Sequence, residues 1–229
     1  MKIQMQMNKD SFLGDIKDFI SKSVQIDSKG TNTLNCNNCF RCNDNYAEEE
    51  QIIEDLKNKK FKTSKEQGDC LEILLKKMFK RIELISSFNV TNKDTSLGQI
   101  DIILNPIDDT IYDILGLTSD HPNCLIGECK NYKSDGVSRE EIEKTCWRSA
   151  KGKALSFFIA RSYKKPAVDE IMEFNRYRNN ILSTYEGVYI IPITIDMLET
   201  VISEHINFCY FIRWAIQSSK TIMSINNYL

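Results

Sequence analysis

Three ionisable residues in two short apolar runs carry the strongest chemical signal in this chain. Glu128 and Lys130 lie within Leu125-Ile126-Gly127-Glu128-Cys129-Lys130-Asn131-Tyr132, and Asp101 lies within Gln99-Ile100-Asp101-Ile102-Ile103-Leu104. Both runs read as strands. Alternate side chains of a strand share a face, so Glu128 and Lys130 point the same way, about 7 Å apart. A carboxylate and an ammonium in apolar surroundings are costly to bury unless paired or bound to something. An exposed edge strand with an ordinary ion pair satisfies that rule, and so does a reaction centre. Asp101 tips the balance toward the centre. Twenty-seven positions separate it from Glu128, enough for a strand, a loop and a neighbouring strand, so that both carboxylates reach one spot. Two carboxylates so placed suit Mg²⁺ (or Mn²⁺), which takes oxygen ligands and keeps several waters. An ammonium beside such a cation can orient a water for attack on phosphorus.

The elements that must hold these residues are legible from about residue 64 onward. Ser64 and Gln67 have the spacing of a capping box. The stripe Leu71, Leu74, Leu75, Met78, Ile82 and Ile85 then predicts an amphipathic helix. Strands are expected at 88–90, 99–104, 111–117 and 124–132. Ser138 and Glu141 offer a second capping box, opening a helix to about Ser149. Ala154–Ala160 reads as a buried strand, and Pro166 opens a helix to about Leu182, since a first-turn proline forfeits no hydrogen bond. Val188–Thr194 is the last strand, placed at an edge or ending irregularly because of Pro192. One helix from about Asp196 to Ser218 closes the chain. Strands flanked by helices predict an α/β architecture with a central mixed sheet. Residues 1–64 read as a small appendage of two weak helices around a cysteine-bearing loop, and 65–229 as the main domain.

With the motifs on these elements, the chain resembles the PD-(D/E)xK superfamily, the nucleases of the restriction-endonuclease-like fold, and is most similar in flavour to the Mrr-type enzymes. The matching residues are Asp101 in GQIDIIL, Glu128-Cys129-Lys130 in LIGECKNYK, and Glu72 in GDCLEILLKKMF on the helix before the sheet. Ile100 stands where the superfamily name has proline. The resemblance covers roughly residues 65–195. It implies that Asp101 and Glu128 hold Mg²⁺ with the backbone carbonyl of Cys129, that Lys130 positions the attacking water, and that Glu72 supports the metal. It further implies an endonuclease acting on DNA, in restriction or defence. Two other readings remain: a non-catalytic nucleic-acid-binding or scaffold protein of the same fold, and a nuclease acting on RNA or branched DNA.

The formal charge of the 229 residues is -2, which excludes a protein that coats nucleic acid by bulk charge. Local charge differs. Residues 57–81 carry nine Lys or Arg against three acids, and residues 130–165 carry ten against four, a net +6 in each. Such segments are either solvated helix faces or contacts to phosphate. Arg148, Lys151 and Lys153, where a helix meets the next strand, are the candidate DNA contacts. Tyr132 and Trp147 are aromatics of a kind that stacks on bases or, more often, fills a core.

Cys36, Cys39 and Cys42 form Cys-x2-Cys-x2-Cys. Free thiols, a zinc site completed by a distant ligand and an iron–sulfur cluster all accommodate that spacing. No apolar run approaches the length of a membrane span and no signal-peptide pattern opens the chain. A cytoplasmic protein with reduced cysteines is therefore expected. The apolar surplus around HINFCYFIRWAI fits enclosure by the chain's own domain or contact with a second copy, and because cleaving both strands takes two active sites a C2 homodimer is predicted.

Overall fold

The computed structural model describes residues 8–29, 36, 46–58, 61–89, 100–117, 122–130, 136–181 and 188–220. At its centre is a mixed five-stranded sheet in the order β1-β2-β3-β4-β5, so the chain is α/β as expected. β1 (Ile85–Asn89), β2 (Ile102–Pro106) and β3 (Cys124–Lys130) form an antiparallel meander. β4 (Ala154–Ala160) and β5 (Ile190–Thr194) then add in parallel. Parallel neighbours need long crossovers, supplied here by α5 (Arg139–Gly152) and α6 (Lys165–Ile181).

Helices cover both faces. α3 (Ser64–Lys80) packs on the face of β3 to which Gly127 belongs, because a Cβ there would lie 3.1 Å from Leu75. α5 takes the opposite face, where Ser149 and Ser156 share a 2.5 Å hydrogen bond. α5 starts on the predicted capping box, Glu141 accepting the Ser138 N–H at 3.0 Å. The box of α3 sits one residue earlier than predicted: Thr63 accepts from the Glu66 N–H, Glu66 caps Thr63 in return, and Gln67 is buried.

Three expected elements take another form. The strand expected at 99–104 begins at Ile102, so Asp101 stands on the bend before β2 rather than inside it. The strand expected at 111–117 is instead the short helix α4 (Thr110–Ile114). It is nucleated by Asp108, which accepts the Thr110 N–H at 2.7 Å, and is closed by Gly116 at φ 71°. The single terminal helix is two, α7 (Ile195–Ser203) and α8 (Phe208–Lys220). His205 takes φ 51° between them, and Asn207 restarts the chain by accepting the Cys209 N–H at 2.9 Å. β5 lies at the sheet edge, consistent with Pro192, yet is wholly buried. The Asn175 side chain of α6 exchanges two hydrogen bonds with the Ile190 backbone, standing in for a missing strand neighbour.

α1 (Lys9–Lys29) and α2 (Ala47–Asn58) lie against α7, α8 and α3. Phe12 meets Phe211 and Trp214 edge-on, and Phe12, Ile16, Ile53 and Leu56 belong to the same apolar core as the sheet. The apolar surplus of α8 is thus enclosed by its own chain. Phe208, Phe211, Ile212 and Trp214 are all buried, which removes them as a surface for a second copy. Among the described residues, no helix is long and apolar enough to cross a membrane.

Candidate active site

β3 leads a buried apolar strand into its polar end. Leu125, Ile126 and Gly127 are fully enclosed, Glu128 is 5% exposed, and Lys130 emerges at the C-terminal end. In the β2–β3 register Ile102 stands opposite Gly127. One residue further, Asp101 faces Glu128. The Asp101 carboxylate accepts the Cys129 backbone N–H at 2.8 Å, which fixes the bend against β3. The Lys130 ammonium lies 2.9 Å from Glu128 Oε1 and 3.8 Å from Asp101 Oδ2. The three residues of the motif therefore meet, as their spacing predicts.

Glu72 joins from α3. Its carboxyl is pushed above the ordinary carboxylate range by burial and then by the Asp101 carboxylate, against the pull of Lys76, which is 3.8 Å away, and of Lys130. Gly127 makes this approach possible, because its missing side chain leaves room for Leu75, three residues after Glu72. The Cys129 thiol reports the same convergence. It is driven well above its usual value by burial, then by Asp101, Glu72 and Glu128 in turn. Three carboxyl groups, Glu72, Asp101 and Glu128, thus feel one another's charge across the ends of β2 and β3 and the middle of α3.

Arg148 has a different place from the one expected. Instead of lying on the surface as a phosphate contact, it reaches from α5 to Glu128, Nη1 to Oε2 at 3.0 Å. Each oxygen of Glu128 therefore has its own cation. Burial, and next the Asp101 charge, still push the Glu128 carboxyl upward; Lys130 and Arg148 oppose them without prevailing. No local motif marks Arg148 for this role; it follows from the crossover that lays α5 over β3. Lys151 and Lys153 stay on the surface, Lys153 as the left-handed C-cap of α5 at φ 47°. Trp147 is 57% exposed rather than part of the core.

Among the described residues, no three His, Cys, Asp or Glu side chains are grouped to hold a metal ion. Magnesium asks for less: one or two carboxylates and several waters. Asp101 and Glu128 with the Cys129 carbonyl meet that requirement as hard oxygen donors; burial does most to raise the Glu128 carboxyl, and the Asp101 charge that adds to it is one a divalent cation would offset. For the cysteine triplet, Cys36 is buried and its carbonyl accepts from Asn207 at 3.0 Å. Cys39 and Cys42 lie outside the described residues, as does Tyr132. No family model, curated protein or solved structure matches the chain.

Proposed function

We propose that the chain is a Mg²⁺-dependent endonuclease of the restriction-endonuclease-like fold that hydrolyses DNA phosphodiester bonds. One observation carries this reading: the Lys130 ammonium is held between the carboxylates of Glu128 and Asp101, at 2.9 and 3.8 Å, at the open end of a sheet. Hydrolysis of a phosphodiester needs a water aligned with the leaving oxygen, removal of its proton, and positive charge for the non-bridging oxygens. Bound Mg²⁺, held by Asp101, Glu128 and the Cys129 carbonyl, would supply that charge as a Lewis acid. Lys130 donates hydrogen bonds to the water and sets its direction; the proton the water loses on attack passes to solvent, and the leaving oxygen takes its proton from solvent water in turn. Glu72, already biased toward its protonated form, supports the metal side through water. Arg148 is placed to leave Glu128 for a phosphate oxygen when the cation enters.

The test is incubation of supercoiled plasmid with the protein in Mg²⁺, Mn²⁺ or EDTA. Metal-dependent nicking that disappears in Lys130→Ala and Asp101→Ala supports the reading; nicking unchanged in both variants rejects the site.

A second reading rests on the pairing of both Glu128 oxygens. A carboxylate already matched by two cations is also what a retired site looks like, on a fold kept for binding nucleic acid. Salt-sensitive DNA binding with no cleavage in any metal would select it.

A further inference from the structure

The outward face of α5 carries Lys144, Trp147 and Lys151, which the hydrolytic site does not use. Lys144, Trp147, Arg148 and Lys151 follow one another at i, i+3, i+4 and i+7, which puts them on a single face within about 100° of arc. The opposite side of the helix, with Ile142, Cys146 and Ser149, is buried. The stripe holds three cations and one aromatic ring; the nearest acid in line is Glu140, at its N-terminal end. Trp147 is 57% exposed, one of two large apolar side chains, with Ile107, that are more than half open among the described residues. The Lys151 ammonium lies 4.7 Å from the centre of its ring. The stripe is also tied to the site, because Arg148, the residue after Trp147, touches Glu128 at 3.0 Å.

One exposed aromatic ring is ordinary by itself; what sets Trp147 apart is that Lys144 and Lys151 flank it on the same helix face, Lys151 with its ammonium over the ring. Among ligands that need a flat apolar face flanked by positive charge, single-stranded nucleic acid fits in both respects: its bases stack on aromatic rings and its phosphates pair with lysine and arginine. A duplex offers phosphates alone, since its bases are already stacked. We infer that Trp147 is a stacking platform for an unpaired base, that Lys144 and Lys151 hold the adjoining phosphates, and that the DNA taken by this site has a single-stranded segment beside the scissile bond. The inference rests on the nuclease reading for its choice of ligand.

The full chain contains two tryptophans, and the other, Trp214, is 4% exposed. A ligand-induced change in intrinsic fluorescence therefore reports mainly on Trp147, over the constant emission of the buried Trp214. The protein is titrated in EDTA with oligo-dT, with a fully paired linear duplex of equal nucleotide count and with oligo-rU, so that binding is read without cleavage. Oligo-dT should quench the parent and leave Trp147→Phe unresponsive, and the duplex should quench little. By anisotropy of labelled oligo-dT, Trp147→Ala should bind about five- to thirtyfold more weakly and Trp147→Phe should recover most of the loss, with duplex affinity unchanged in both. Equal quenching by duplex, or unweakened oligo-dT binding by Trp147→Ala, overturns the inference; stronger quenching by oligo-rU overturns its assignment to DNA. Plasmid nicking without quenching removes the platform and leaves the nuclease. Quenching without cleavage in any metal removes the nuclease and leaves a strand-binding face.

Discussion

The Asp101 carboxylate accepts the backbone N–H of Cys129 at 2.8 Å, so one side chain both closes the β2–β3 corner and provides charge beside Glu128. The two roles separate by substitution. Asp101→Asn keeps an oxygen to accept the N–H and loses the charge; its melting temperature should stay near that of the parent while nicking disappears. Asp101→Ala leaves the buried Cys129 N–H without a partner and should lose about 1–3 kcal/mol of stability as well. Urea unfolding of both variants beside the plasmid assay checks this, and equal stability of the two would remove the structural half of the claim.

Gly127 is a fit between α3 and β3. An added Cβ would meet Leu75 Cδ2 at 3.1 Å and Ile102 Cβ at 3.4 Å. Gly127→Ala should therefore cost about 1 kcal/mol, and Gly127→Val about 2–3. Leu75→Val should recover part of the alanine penalty, because the residue that gives way is a flexible side-chain end. A double-mutant cycle measures the coupling, and strict additivity would show that the two do not meet.

The Glu72 carboxyl is held above its ordinary value of 4.5 by burial and by Asp101. The folded state therefore keeps this proton to a higher pH than the unfolded chain does. Its contribution to stability is greatest below 4.5 and declines as pH rises through the folded value. Glu72→Gln removes the decline. Without metal, the variant should gain melting temperature relative to the parent at pH 7.5 and gain less at pH 4.5. A difference that is the same at both pH values would contradict the placement.

Arg148 offsets the Glu128 charge from α5 at 3.0 Å. Arg148→Ala should lose about 1–3 kcal/mol, since a mostly buried carboxylate is left with one cation in place of two. Added Mg²⁺ should then raise the melting temperature of the variant more than that of the parent, because the ion replaces the missing charge. Equal shifts would show that the metal and the guanidinium do not compete for Glu128.

The legible parts of the chain are those whose pattern is strong within one element. β4 is apolar at nearly every position, as suits a strand covered on both faces, and it lies where expected, with all seven residues buried. The Ser138–Glu141 box locates the start of α5. Ile111 to Leu117 fits a two-residue or a four-residue period equally well, and the turn chemistry of Asp108 and Gly116 decides for helix. The break at His205 carries no glycine or proline, and Asn207, which accepts the Cys209 N–H at the start of α8, is the one sign in the sequence that separates α7 from α8. At the site, Asp101, Glu128 and Lys130 are readable because strand alternation and one neighbour relation bring them together. Arg148 is not, since its partner depends on how a crossover helix settles on the sheet.

The aromatic contact of Phe12 with Phe211 and Trp214 has a practical consequence for anyone trimming the protein to its hydrolytic half. A fragment begun at residue 65 would bare the row of rings on α8 and the partners of Ile53 and Leu56 to water. It would be expected to clump or to fold loosely, so the leading helices belong in any preparation made for crystals or assays.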